Sequence, residues 1–490
     1  MEGVAVVKFT DIVKAFIRGV THSKISLVGA IMTTVIFPTL LVSVILDLQG
    51  IVHNPHFGFI TYLVLGPLFI ASLILIFLGL FFFKGKEDIG LFTFEYLKDQ
   101  FTAPDRFAKL RKLIVLATAL TFANIFIIAL TTYSGYHYTE SVGFCGQFCH
   151  SAMDPEFVAY KNSPHSRVRC VECHIGQGAQ WFVKSKISGT RQLLAVATGS
   201  FSRPIETPIH GLRPARETCE ECHRPELFHG DKLQVINKFL PDEKNTLVQT
   251  VLLMKVGSGG YRGSEAHGIH WHVAPENEIS YTHTDRKREQ ISEVTLTKPD
   301  GTQVLFRGET EEAEGAEGDS HSGGSRLMDC IDCHNRPTHI YLDANEALDL
   351  KLEHGEIPRS LPYIKKVGYD IINQEYATHE EAKNSIATSL RAWYRKKYPE
   401  LIGNNMPLLE QAINGVQAAY TENVFPEMKI GWNTYQNYLG HKDDSGCFRC
   451  HDDSHETSAG ETISMDCDTC HVILAEEEEN PEVLSNIQGS

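Results

Sequence analysis

The chain has 490 residues, 42% of them hydrophobic, a formal net charge of −16 and 12 cysteines. That length allows two or three domains, and so acidic a balance excludes nucleic acid as a partner; it suits solubility or the steering of a basic partner protein. The apolar residues are unevenly placed, with three long stretches between residues 25 and 131 and a polar, turn-rich chain after about residue 141.

Ile25 to Leu46 carries no charge and is long enough to cross a hydrocarbon layer, which takes about 20 residues. Phe57 to Phe83 and Leu113 to Thr131 repeat the pattern, and three such runs are not expected among the core helices of a soluble protein. They are predicted to be transmembrane helices of an anchor spanning residues 1–132, the first of them an uncleaved anchor. Lys8, Lys14, Arg18 and Lys24 precede the first helix, and Lys84, Lys86, Lys98, Arg106, Lys109, Arg111 and Lys112 lie between the second and third. Asp47 to His56 has neither Lys nor Arg, so the positive-inside rule puts the N-terminus in the cytoplasm and everything beyond Tyr133 to Ser141 outside it.

The exported part opens with a close-spaced segment, residues 141–230, and continues with a stretch, 231–326, in which Val248 to Lys255 and Ile291 to Phe306 read as strands. The second of these carries a hairpin turn at Lys298 to Thr302. A low-complexity tract at 308–326 follows, then helical periodicity at Leu361 to Tyr376, His379 to Tyr398 and Met406 to Tyr420 within a module covering 327–475. An acidic tail, 476–490, closes the chain.

All 12 cysteines fall into pairs whose second member is followed by histidine: Cys145/Cys149 with His150, Cys170/Cys173 with His174, Cys219/Cys222 with His223, Cys330/Cys333 with His334, Cys447/Cys450 with His451, and Cys467/Cys470 with His471. With 23 histidines in 490 residues, chance would place one after all six pairs about once in 10⁸ trials. Disulfides and zinc sites do not call for that histidine. C-x-x-C-H is the haem-attachment spacing, two thiols forming thioethers and the histidine reaching the iron; the first pair is one residue wider. The expectation is six covalently attached haem c groups on a loop-rich, mainly α cytochrome domain with a small β insertion.

Electron-transfer haems of low spin take two strong axial ligands. Candidates for the second are His165, His270, His272, His339, His441 and His455, with His210, His229, His267 and His283 in reserve. At the first motif Met153 stands three residues after His150, where a thioether ligand would raise the potential.

An anchor helix, a first motif followed closely by Met, and then SPHSRVRCVECH resemble the NapC/NirT/NrfH family of membrane-bound quinol dehydrogenases over about residues 113 to 225. The remainder, with GIHWHVAPENE, CIDCHNRPTH and the CFRCH to CDTCH ending, looks like the larger inner-membrane cytochromes of metal-reducing bacteria. The resemblance implies oxidation of quinol, menaquinol by preference, at the outer membrane surface and delivery of electrons to periplasmic cytochromes or a periplasmic reductase. It departs from the family in having three helices, six motifs and C-x-x-x-C-H-x-x-M at the first site.

Quinol oxidation releases two protons while electrons leave singly, which calls for a base and a cation near the first motif. Asp154, Glu156, Lys184 and Lys186 are in range, and the resemblance favours Lys186. No histidine lies in the predicted helices, so the imidazole pair of an intramembrane haem is lacking. A terminal reductase is disfavoured because no C-x-x-C-K occurs; a haem-wiring anchor subunit without its own quinol site is the alternative.

Overall fold

The computed structural model describes residues 20, 23–52, 54–81, 104–176, 178–209, 212–228, 230–257, 265–308, 324–441 and 445–488. The basic residues Lys8, Lys14, Arg18, Lys84, Lys86 and Lys98, the histidines His210, His229 and His321, and most of the tract 308–326 lie outside those residues. The chain divides into two compact units, Met1–Phe148 and Cys149–Ser490.

Three helices of the first unit are long and apolar enough to cross a membrane. Helix α1 (Lys24–Leu48) starts at Ser23, whose hydroxyl accepts from the Ser26 amide. Helix α2 (Gly66–Phe81) is entered through a π-helical stretch, Phe59–Leu65, and α3 (Pro104–Thr139) runs well past its predicted ends. Where packing rather than water exclusion must hold apolar helices together, small residues let backbones approach. Gly29 of α1 fits that account, since a Cβ there would fall 2.7 Å from the Ser72 carbonyl oxygen and 2.8 Å from the Ile76 nitrogen. Ser26 Oγ donates to the Ile76 carbonyl at 3.2 Å, and the Thr33 and Ser72 hydroxyls meet at 2.8 Å. Leu40, Val44, Tyr62 and Phe69 close the seam.

In the second unit the helices are α4 (His150–Lys161), α5 (Cys170–His174), α6 (Ala179–Thr198), α7 (Ala215–Cys219), α8 (Cys330–Cys333), α9 (Ala344–Glu353), α10 (Ile364–Ile372), α11 (His379–Lys397), α12 (Pro399–Thr421) and α13 (Glu482–Gln488). Its strands are β1 (Lys232–Phe239), β2 (Leu247–Met254), β3 (Glu278–His283), β4 (Ile291–Thr297), β5 (Gln303–Arg307), β6 (Gly324–Leu327) and β7 (His471–Glu478). They form two sheets, ordered β1-β2-β7 and β5-β4-β3-β6. The β4–β5 hairpin turns at Lys298 to Thr302, where Lys298 N donates to the Thr302 carbonyl.

The apolar core of this unit lies in α9 to α12, where Leu348, Ile364, Ile372, Ile386, Leu390 and Val416 are fully buried. One buried ion pair, Lys365 Nζ to Asp349 at 2.5 Å, is tied into it. Within the acidic tail, Glu476–Glu478 end β7, whose Ala475 is buried and pairs with Val251, and α13 follows. An acidic run is at home there because charge on an edge strand blocks further pairing. Glu477 also meets Lys238 of β1 at 2.6 Å.

Candidate haem centres

Each motif described in the second unit is a single tight turn. The histidine amide donates to the first cysteine's carbonyl in three of them: His223 to Cys219 at 2.8 Å, His334 to Cys330 at 2.8 Å and His451 to Cys447 at 3.1 Å. A four-residue return puts the first cysteine and the histidine on one side, the arrangement needed for thioether and axial ligand to serve one group. Asp329 caps the fourth motif by accepting from the Ile331 amide. None of the 12 cysteines is joined to another in a disulfide. Among the described residues no three His, Cys, Asp or Glu side chains converge as a zinc site would need.

Motif histidines face non-motif histidines. Ring centroids are 5.9 Å apart for His223 and His165, 6.2 Å for His174 and His339, 5.8 Å for His451 and His272, and 6.1 Å for His471 and His441. His334 has His270 near enough to act on it electrostatically. Two imidazoles sharing one metal through bonds of about 2.0–2.1 Å, with about 1.1 Å from nitrogen to ring centre, put their centroids roughly 6.3 Å apart. The observed separations fit.

The ring nitrogens agree. His165 Nδ1 lies 3.0 Å from the Pro337 carbonyl, His270 Nδ1 3.1 Å from Val256 O, His272 Nδ1 2.8 Å from Ile269 O, and His451 Nδ1 2.8 Å from Ser464 O. A carbonyl only accepts, so each Nδ1 carries the proton and each Nε2 keeps its lone pair for a metal. Burial pushes His174, His270, His272 and His334 below the usual imidazole range, which favours the neutral, ligating form.

His455 is different, and the expectation of an axial role is corrected. Its ring is buried, Nδ1 sits 2.9 Å from Asp452 Oδ1 and Nε2 sits 3.1 Å from the Ile291 carbonyl. Both ring nitrogens therefore already have a protein oxygen within hydrogen-bond distance. The Asp452 carboxyl, which burial would raise, is held low by His455 and Ser454.

At the first motif Cys145 lies in a π-helical turn, Phe144–Phe148, and Cys149 precedes α4, whose first residue is His150. The His150 side chain is outside the described residues; Met153, half-buried, sits one turn on. Asp154 is exposed, whereas Glu156 is committed elsewhere and its expected place at a quinol site is revised. His339 Nδ1 lies 2.9 Å from Glu156 Oε2 and 3.1 Å from the Glu156 carbonyl. Burial would raise this carboxyl, but His339, then Arg336 and Tyr341, outweigh it and hold it low. Lys186 and Lys184 stand on α6, their ammonium groups 4.8 Å from the Phe182 ring centre and 4.7 Å from that of Trp181.

The motifs also neighbour one another in chain order. The Cys173 thiol feels Cys222, Cys219 is hydrogen-bonded to Cys330, Cys333 feels Cys447, and Cys470 feels Cys447. Two residues inside motifs were not singled out by the sequence reading. Asp332, with a side chain 1% exposed, takes the Tyr281 hydroxyl at 2.6 Å and Arg326 Nε at 3.0 Å. Arg449 donates to the carbonyls of Asp332 at 2.5 Å, Gly446 at 2.8 Å and Arg288 at 2.9 Å, binding the fourth motif to the fifth. The only signal in the sequence was a charge at an unconstrained position of each motif.

Helices long and apolar enough to cross a membrane, joined to serial cysteine–histidine turns of which four are opposed by a distant imidazole, define a membrane-type multihaem c-type cytochrome. Residues 108–229 match the N-terminal region of the NapC/NirT cytochrome c family. The chain is 38% identical over 464 residues to the cytochrome c-type protein ImcH of Geobacter sulfurreducens, covering 94% of this chain and 90% of that protein. No solved structure matches it. The chain belongs to the NapC/NirT cytochrome c family, and within it to the ImcH-like inner-membrane cytochromes.

Proposed function

We propose that this chain is a hexahaem quinol dehydrogenase, anchored by three passes in the inner membrane. Its haem domain faces the periplasm, where it oxidises quinol and relays electrons from the first motif to the sixth. The observation that carries the relay is the facing of four motif histidines by four non-motif histidines, which leaves His270, near enough to act on His334, as the candidate for the fifth. His174/His339, His223/His165, His334/His270, His451/His272 and His471/His441 are then the axial pairs of the second to sixth haems. Each bound haem supplies a one-electron iron couple.

The chain's own part is to hold those groups in file. Successive attachment cysteines are neighbours, and Arg449 ties two of the turns together. At the entrance, α3 ends at Thr139 and Cys145 follows shortly, which keeps the first motif close along the chain to the membrane exit. Lys186 is the cation assigned to the quinol. Its helix has no acidic residue and exposes Val183, Ile187 and Leu194, a surface suited to a lipid-soluble donor. There Lys186 would stabilise the negative charge that appears as a quinol hydroxyl loses its proton.

The test is stopped-flow visible spectroscopy of the oxidised protein in detergent, mixed with a menaquinol analogue. Rapid haem reduction, lost in Lys186→Ala and on adding an inhibitor quinone, is the expected result. No reduction of the unaltered protein would leave it a relay fed by another subunit.

A further inference from the structure

Helix α4 begins with the first motif's histidine, carries Met153, and one turn later places Glu156 against His339, which is 183 residues further along the chain. The contact has two parts. The backbone carbonyl of Glu156 lies 3.1 Å from His339 Nδ1 and the carboxylate Oε2 lies 2.9 Å from the same nitrogen. The Glu156 side chain is 13% exposed, and a carboxylate so buried is expensive unless it is paired and hydrogen-bonded. Around it stand Arg336, which donates to the His339 carbonyl at 2.9 Å and lies 3.8 Å from the Tyr435 ring centre, and Tyr341. If orienting His339 were the whole task, the carbonyl alone would do it, as it does for His165, His270 and His272. Among these distal histidines His339 alone has a carboxylate at its Nδ1 as well.

We propose that Glu156 is a positioning residue that sets the reduction potential of the second haem. Its carboxylate, 2.9 Å from His339 Nδ1 beside the carbonyl that takes the ring's hydrogen bond, stabilises positive charge on that imidazole and so favours the oxidised state. The physical warrant is that a carboxylate behind a ligating histidine raises ligand basicity and fixes its tautomer. Because Glu156 belongs to the helix of the first motif, the same residue couples the geometry of electron entry to the energy of the next site. This rests on His174 and His339 being an axial pair.

The experiment compares the full-length holoprotein with Glu156→Gln, Tyr341→Phe and His339→Ala by spectroelectrochemical titration and low-temperature electron paramagnetic resonance. In Glu156→Gln the carbonyl contact survives and every haem stays low-spin. One haem alone becomes easier to reduce, by about tenfold in its equilibrium constant, or about 59 mV for a one-electron couple. Tyr341→Phe removes a hydroxyl dipole that stands beside the carboxylate and offsets part of its charge, and moves the same haem the other way, so it carries the test even if the Gln variant fails to accumulate. His339→Ala converts one haem to high spin. Unshifted potentials in both single variants, with one high-spin haem in His339→Ala, would overturn the proposal and leave the axial pair standing. Loss of low spin in Glu156→Gln would overturn it too, by making Glu156 a prop for ligation. If His339→Ala leaves all haems low-spin, the pairing itself fails and the proposal falls with it.

Discussion

Which nitrogen of an imidazole carries the proton decides what the ring can do, and the acceptors around it decide that in turn. His272 gives its Nδ1 proton to the Ile269 carbonyl and has its ring 5.8 Å from that of His451; His455, four positions after the fifth motif's histidine, has acceptors on both sides. The two histidines therefore predict different losses. His272→Ala is expected to convert one haem to high spin, seen as a high-spin signal in electron paramagnetic resonance, with the rest unchanged. His455→Ala is expected to keep every haem low-spin while lowering stability by about 1–3 kcal/mol, the cost of leaving the buried Ile291 carbonyl without its partner, measurable as a fall in the thermal midpoint. If His455→Ala produced the high-spin signal instead, the assignment of the two would be reversed.

At the scale of elements, much was legible and the reason is locality. Transmembrane length, the turn at Lys298 to Thr302 and the periodicity of α11 are all carried by consecutive residues; the turn and α11 lie within a residue or two of their expected places, while α3 overruns its expected ends. The motifs were legible for the same reason, because cysteine and histidine spacing is itself local. What was not legible depends on partners far away in the chain: β7 pairs Ala475 with Val251, and Glu156 finds its role only when His339 arrives beside it. Sequence contains those residues but not the approach that gives them meaning. The α1–α2 seam is a similar case, where Gly29 looks like any apolar-run glycine until the Ser72 carbonyl is seen against it. Gly29→Val should overpack that seam and cost about 1–3 kcal/mol, lowering the temperature at which the detergent-solubilised protein loses its compact fold. A variant as stable as the parent would show that the helices separate freely there.

Across the whole molecule, the pairs of histidines are braided, and the braid makes position in the file testable. His339 follows the fourth motif yet faces the second, His165 precedes the second yet faces the third, and His441 precedes the fifth yet faces the sixth. In the proposed relay the neighbouring cysteines give the order second, third, fourth, fifth, sixth, and a single file has a property that a branched cluster lacks. Damage at its head starves everything behind it, whereas damage at its tail blocks only delivery. His339→Ala, at the second centre, is expected to slow menaquinol-driven reduction of nearly all the haem absorbance in stopped flow. His441→Ala, at the sixth, should leave that reduction rapid and slow only the passage of electrons to a soluble acceptor mixed in afterwards. Equal slowing of haem reduction by the two substitutions would mean that electrons enter or cross at more than one point, and the single file would have to be abandoned.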